Sequence, residues 1–116
     1  MEIDIINIPD QYHHLIKTSV NKFFQGYQLN PKMSVCIGFV SKMRMRKLNE
    51  QYRQVDEPTD VLSFPIWENF KDIPVKGKVI LGDIFICPEM TKIDTELSKL
   101  IIHGLSHLVG KHHGSF

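Results

Sequence analysis

Ile3, Ile5 and Ile8 mark a first strand that Pro9 and Asp10 bring to a stop. Tyr12, Leu15, Ile16, Phe23 and Phe24 then recur at helical intervals until Gly26. Met33, Val35, Ile37 and Phe39 alternate with more polar neighbours, as one face of a half-buried strand does. Ser41 can cap a helix running from Lys42 to Arg53, whose inward stripe is Met45, Leu48 and Tyr52. A turn-like stretch from Val55 to Asp60 precedes an apolar run from Val61 to Ile66, and Pro65 within it argues for an edge strand or a strand end. Residues 67–78 read as a loop and residues 79–87 as another strand. From Pro88 the pattern turns helical, with a restart near Asp94 and Thr95 and a stop at Gly110. The order strand, helix, strand, helix, strand, strand, helix predicts one α/β (α+β) domain over residues 1–116, with helices packed on a mixed sheet.

Composition agrees with a folded globular chain. Of 116 residues, 42% are hydrophobic and 23% charged, enough to build one core without disulfides. Cys36 and Cys87 both fall in strand-like apolar runs, where a free thiol packs as a small hydrophobe, so buried thiols in a reducing cytosol are expected. The first residues carry acids where a signal peptide needs bases, and no apolar run approaches the ~18 residues of a membrane span. A cytoplasmic protein with no membrane partner is therefore expected. The formal net charge of +1 gives no average signal for nucleic acid, so any such signal must be local.

Candidate chemistry gathers at the C-terminal end. His103 and His107 stand one helical turn apart on one face, so two imidazoles can converge on one ion. Gly110 can adopt the left-handed conformation that ends a helix and let the chain turn back to bring His113 to the same point. Three nitrogen ligands leave one coordination position open, the arrangement of a catalytic rather than a structural zinc. The same helix carries Leu97, Leu100, Ile101, Leu105 and Leu108 on an apolar face, with the histidines expected at its margin and only partly solvated. Gly104 follows the first histidine where the zinc-peptidase motif has its glutamate base, which disfavours peptidase chemistry.

The run from His103 to His113 resembles the signature His-Gly-x-Leu-His-Leu-x-Gly-Tyr-Asp-His of the YbeY family of metal-dependent endoribonucleases. The resemblance extends over most of the chain through Leu48-Asn-Glu-Gln-Tyr-Arg53, Pro58-Thr-Asp-Val-Leu-Ser-Phe-Pro65 and Leu81-Gly-Asp-Ile84. It implies a single α/β domain and one divalent ion, zinc being expected, on His103, His107 and His113. It further implies single-strand-specific cleavage of ribosomal RNA, at the 3′ end of the small-subunit RNA, with a role in ribosome quality control. The implied partners are ribosomal RNA and the small ribosomal subunit, together with a ribosomal protein and a ribosome-assembly GTPase. Three departures stand out: Ser106 replaces a leucine, Lys111 and His112 replace the Tyr-Asp pair, and the region between Ile84 and His103 is shorter.

Arg53 is the candidate for transition-state stabilisation, because a guanidinium presents a fixed fork of donors to phosphate oxygens and stays charged. Lys42, Arg46 and Arg53 project within ~40° of one another at ~100° per residue, forming a candidate phosphate track for RNA. His103 joins Arg53 in the catalytic set. Asp83 sits inside an apolar strand, where it must accept hydrogen bonds or face a polar cleft, and a structural role is favoured. Thr59, Asp60 and Ser63 resemble family positions near the cleft but also have a local explanation as turn and cap residues and stay outside the catalytic set, and His13 and His14 are expected to face solvent. Two other readings compete: a ribosome-associated assembly factor with a structural metal, and a metallohydrolase of another substrate.

Overall fold

The computed structural model describes residues 1–26, 30 and 32–110. Strand β1 (Glu2–Ile6) leads through a short 3-10 turn (Asp10–Tyr12) into α1 (His13–Phe24), followed by β2 (Met33–Phe39) and α2 (Lys42–Arg53). Then come β3 (Val61–Pro65), β4 (Val79–Ile86) and α3 (Ile93–Leu108). The α+β architecture and its element order are those expected from the hydrophobic pattern. Short 3-10 turns at Phe70–Asp72 and Pro88–Met90 punctuate the remaining connections.

The sheet runs β1-β2-β4-β3, with β1, β2 and β4 parallel and β3 antiparallel to β4. β3 is therefore an edge strand, and Pro65 closes it where a missing N–H costs least. Side chains alternate across this sheet. One face carries Val35, Ile37, Leu81, Ile84 and Ile86 into the main core, which α1 completes with Ile16 and Val20 and α3 with Leu97, Ile101, Leu105 and Leu108. The other face carries Leu62, Phe64 and Phe85, which pack with Met45 and Leu48 of α2 in a smaller cluster. Helices thus lie on both faces, α1 and α3 on one and α2 on the other.

Local chemistry sets the ends of the helices that matter. Ser41 accepts a hydrogen bond from the Arg44 amide at 3.1 Å, capping α2 as its sequence predicts. α2 ends at Arg53 because Gln54 turns left-handed, at φ +58°. The Asn49 amide then donates to the Glu57 carbonyl at 2.8 Å, tying α2 to the segment that leads into β3. In the stripe expected to face inward, Met45 and Leu48 are buried but Tyr52 is 56% exposed, because it meets the small apolar cluster only at its margin, against Phe64. Among the described residues no helix is long and apolar enough to cross a membrane.

Candidate active site

α3 lies so tightly on β4 that Gly104 leaves no room for a side chain. A Cβ there would come within 2.9 Å of Ile84 Cδ1 and Cγ2. The close approach fixes the rotation of α3, burying Leu105 and Leu108 in the core and leaving His103 and His107 at the margin of the buried face. His103 and His107 consequently stand side by side, with ring centroids 4.7 Å apart and planes inclined at 63°. His107 is half-buried, as expected, but His103 is exposed. Gly104 also explains why no glutamate follows the first histidine: the core of the sheet occupies that place.

Arg53 reaches the same spot from the opposite layer. With Val61, Leu62 and Ser63 of β3 and the two histidines, it lines a cleft of about 270 Å³. The edge position of β3 makes this meeting possible, since only one short strand separates the last turn of α2 from α3. Ser63 pairs with Ile84, so its side chain projects on the α3 side; it is half-buried and its hydroxyl has no partner among the described residues. The sequence offers Ser63 both a family resemblance near the cleft and a local role as a turn or cap residue, and the cleft position is the one it takes. A lone hydroxyl within an apolar edge strand is the signal that favours it.

Two imidazoles one turn apart, open to a polar cleft, suit a divalent ion that prefers nitrogen donors. Gly110 is left-handed at φ +76°, the conformation its sequence predicts at the end of α3, and a Cβ there would meet the Glu68 carbonyl oxygen at 2.7 Å. The third expected ligand, His113, and its neighbour His112 lie outside the described residues. Among the described residues no group of three or more His, Cys, Asp or Glu side chains converges.

Comparison with known proteins places this geometry. The family described as Endoribonuclease YbeY matches residues 2–115. The chain belongs to the YbeY family. It is 32% identical to an Endoribonuclease YbeY from Mesoplasma florum, covering 97% of this chain and 75% of that one. It is 31% identical to an Endoribonuclease YbeY from Oceanobacillus iheyensis, covering 92% and 78%. A solution structure from Thermotoga maritima superposes with a TM-score of 0.55 at 26% identity, covering 93% of this chain and 72% of that one.

Against the YbeY signature, Ser106 is accommodated locally: its hydroxyl donates to the Ile102 carbonyl at 2.9 Å, so the polar group needs no other partner. The remaining basic residues of the expected track separate from the cleft. Lys42 and Arg46 line a larger groove of about 570 Å³ with Ser41, Met43, Asp56, Pro58 and Glu89. That groove is larger, but its polar groups already answer one another. Arg46 grips Asp56 through two hydrogen bonds, at 2.6 and 3.0 Å, and the Glu89 carboxylate accepts from the Lys42 amide at 3.1 Å. The Arg46 hydrogen bond holds the Asp56 carboxyl below its ordinary range.

Asp83 lies on the α2 side of the sheet, between Cys36 and Phe64 in the ladder, and therefore on the face away from the histidines. It is only half-buried, so solvent relieves the desolvation expected for a carboxylate in an apolar strand. Cys87 is buried, whereas Cys36 is partly exposed. Burial pushes the Cys36 thiol up, and the Asp83 and Asp4 carboxylates add to that. His13 is also less exposed than expected: its Nε2–H donates to the Ile8 carbonyl at 2.8 Å, while His14 faces solvent.

Proposed function

We propose that the chain is a single-strand-specific, metal-dependent endoribonuclease that matures the 3′ end of small-subunit ribosomal RNA and takes part in ribosome quality control. The observation that carries this reading is the meeting of Arg53 with His103 and His107 in one cleft at the open edge of the sheet. Membership of a family whose relatives are named endoribonucleases supplies the reaction class.

His103 and His107 would hold one divalent ion, zinc by the preference of its donors, with His113 as third ligand. Such an ion supplies a Lewis acid that polarises a phosphoryl oxygen and acidifies water. Arg53 binds the non-bridging oxygens of the phosphodiester and stabilises the charge that builds on them during cleavage. Ser63 offers a hydroxyl on the floor of the cleft. Lys42 and Arg46 extend the contact along the RNA backbone, with Arg46 exchanging Asp56 for a phosphate. A cleft open to solvent at an edge strand admits an extended strand more readily than a duplex.

The partners proposed on this reading are ribosomal RNA, the small ribosomal subunit, a ribosomal protein and a ribosome-assembly GTPase, in the cytoplasm. The test is cleavage of a single-stranded RNA beside its duplex form. Cutting of the single strand alone supports the reading, and no cutting of either by metal-loaded protein overturns it.

A further inference from the structure

Tyr52 sits in the apolar stripe of α2, yet 56% of it is exposed, against 8% for Leu48 one turn earlier and 0% for Met45. It is held all the same. Its ring meets Phe64 edge-to-face, with centroids 4.9 Å apart and planes at 66°, and Phe64 in turn packs on Phe85 at 5.7 Å. An aromatic ring backed by two others is fixed in place at little entropic cost, while more than half of its surface stays open. Its hydroxyl has no partner among the described residues, so the ring rather than the polar end accounts for its position.

Both residues of this pair adjoin the cleft along the chain. Tyr52 precedes Arg53, and Phe64 follows Ser63, each step spanning about 3.8 Å between Cα atoms. Phe64 and the Tyr52 ring stand on the α2 side of the edge strand and the cleft on its α3 side, so an RNA strand whose phosphate is held by Arg53 would meet the ring where it rounds that edge. Every base carries a π-face, and exposed aromatic rings beside a cationic groove are the general means of holding single-stranded nucleic acid. We propose that Tyr52, backed by Phe64, is a stacking platform for the nucleobase adjoining the phosphodiester in the cleft. The proposal rests on the endoribonuclease reading and names a base-binding subsite of that same cleft. Such a platform favours unpaired RNA, because bases inside a duplex cannot offer a free face.

The test compares binding of a fluorescein-labelled single-stranded oligouridylate with an oligonucleotide of equal length and charge that is abasic throughout. The parent protein, Tyr52→Ala and Tyr52→Phe are each measured by anisotropy. The parent should bind the abasic strand about tenfold or more weakly than the oligouridylate, Tyr52→Ala should bind both at the weaker level, and Tyr52→Phe should match the parent. Equal oligouridylate affinity for parent and Tyr52→Ala would overturn the proposal. Equal weakening of both ligands by Tyr52→Ala would do so too, since a merely structural residue does not distinguish them. A Tyr52→Phe loss as large as that of Tyr52→Ala would assign the effect to the hydroxyl and overturn stacking. A parent that cuts RNA but ignores the bases defeats this subsite alone, whereas a parent that neither binds nor cuts RNA defeats the endoribonuclease reading beneath it.

Discussion

Gly104 of α3 and Ile84 of β4 approach so closely that a Cβ on the glycine would lie 2.9 Å from two carbons of the isoleucine. That contact seats the helix that carries both histidines. In a free helix, glycine to alanine gains about 1 kcal/mol, but Ile84 is fully buried and cannot yield. Gly104→Ala should therefore lose stability, by about 1–3 kcal/mol from overpacking, and should disturb the pairing of His103 with His107. Urea denaturation checks the first point; unchanged or raised stability would show that the helix can shift at little cost.

Arg53→Ala should fold like the parent, since Arg53 is exposed, and should keep its metal content. Its cleavage of single-stranded RNA should fall by ~10²-fold or more, as expected when a group that stabilises developing charge is removed. Cleavage at the parent rate would remove Arg53 from the site.

The Arg46–Asp56 pair sets a specific expectation for salt and charge. Because Arg46 is already engaged, Asp56→Ala should release it and strengthen RNA binding at low salt by a few-fold, with a steeper fall in affinity as salt rises. Titrations from low to physiological ionic strength measure both quantities. Weaker binding by Asp56→Ala would place Arg46 outside the RNA path.

Thiol chemistry gives a pH-dependent prediction. Burial raises the pKa of both thiols, so each is less ionised at neutral pH than a free cysteine. Alkylation of the native protein should be slow at neutral pH and accelerate only above the ordinary thiol range, with Cys36 reacting before the buried Cys87. Mass spectrometry of timed samples reads the order. Rapid labelling of Cys87 in the native state would contradict the packing described.

The periodicity of the sequence foretold much of this fold, because alternation and helical spacing report which face of each element meets a core. Met33, Val35 and Ile37 point inward, α2 spans Lys42 to Arg53, and β3 lies at an edge where Pro65 is tolerated. Tyr52 turns toward the cluster as periodicity indicates but stays 56% exposed, since periodicity registers a direction around the helix and not how far the cluster extends beneath it. Helical spacing puts Arg46 on one face with Lys42, but its pairing with Asp56 depends on the turn after α2, which local spacing does not encode. Helical spacing alone sets His103 beside His107. The meeting of α2 with α3 across β3 is not legible there, because it depends on strand order, and Gly104 acquires its meaning only once Ile84 is opposite it.

His113, outside the described residues, is proposed over the adjacent His112 as the third ligand on the family signature and the left-handed Gly110. His113→Ala should purify without bound metal and His112→Ala with it. Elemental analysis of the two variants decides the assignment, and the reverse result would move the ligand to His112.

The most direct test of the cleft as a metal-dependent endoribonuclease site is single-turnover cleavage of a single-stranded RNA by the parent and His103→Ala, purified alike, with metal content measured on the same samples. His103 is exposed, so its replacement should leave folding intact. The parent should carry about one divalent ion per chain and cut the RNA, while His103→Ala loses both the ion and the cutting. Equal cleavage by the two proteins, or cutting by a parent stripped of metal, would contradict the account.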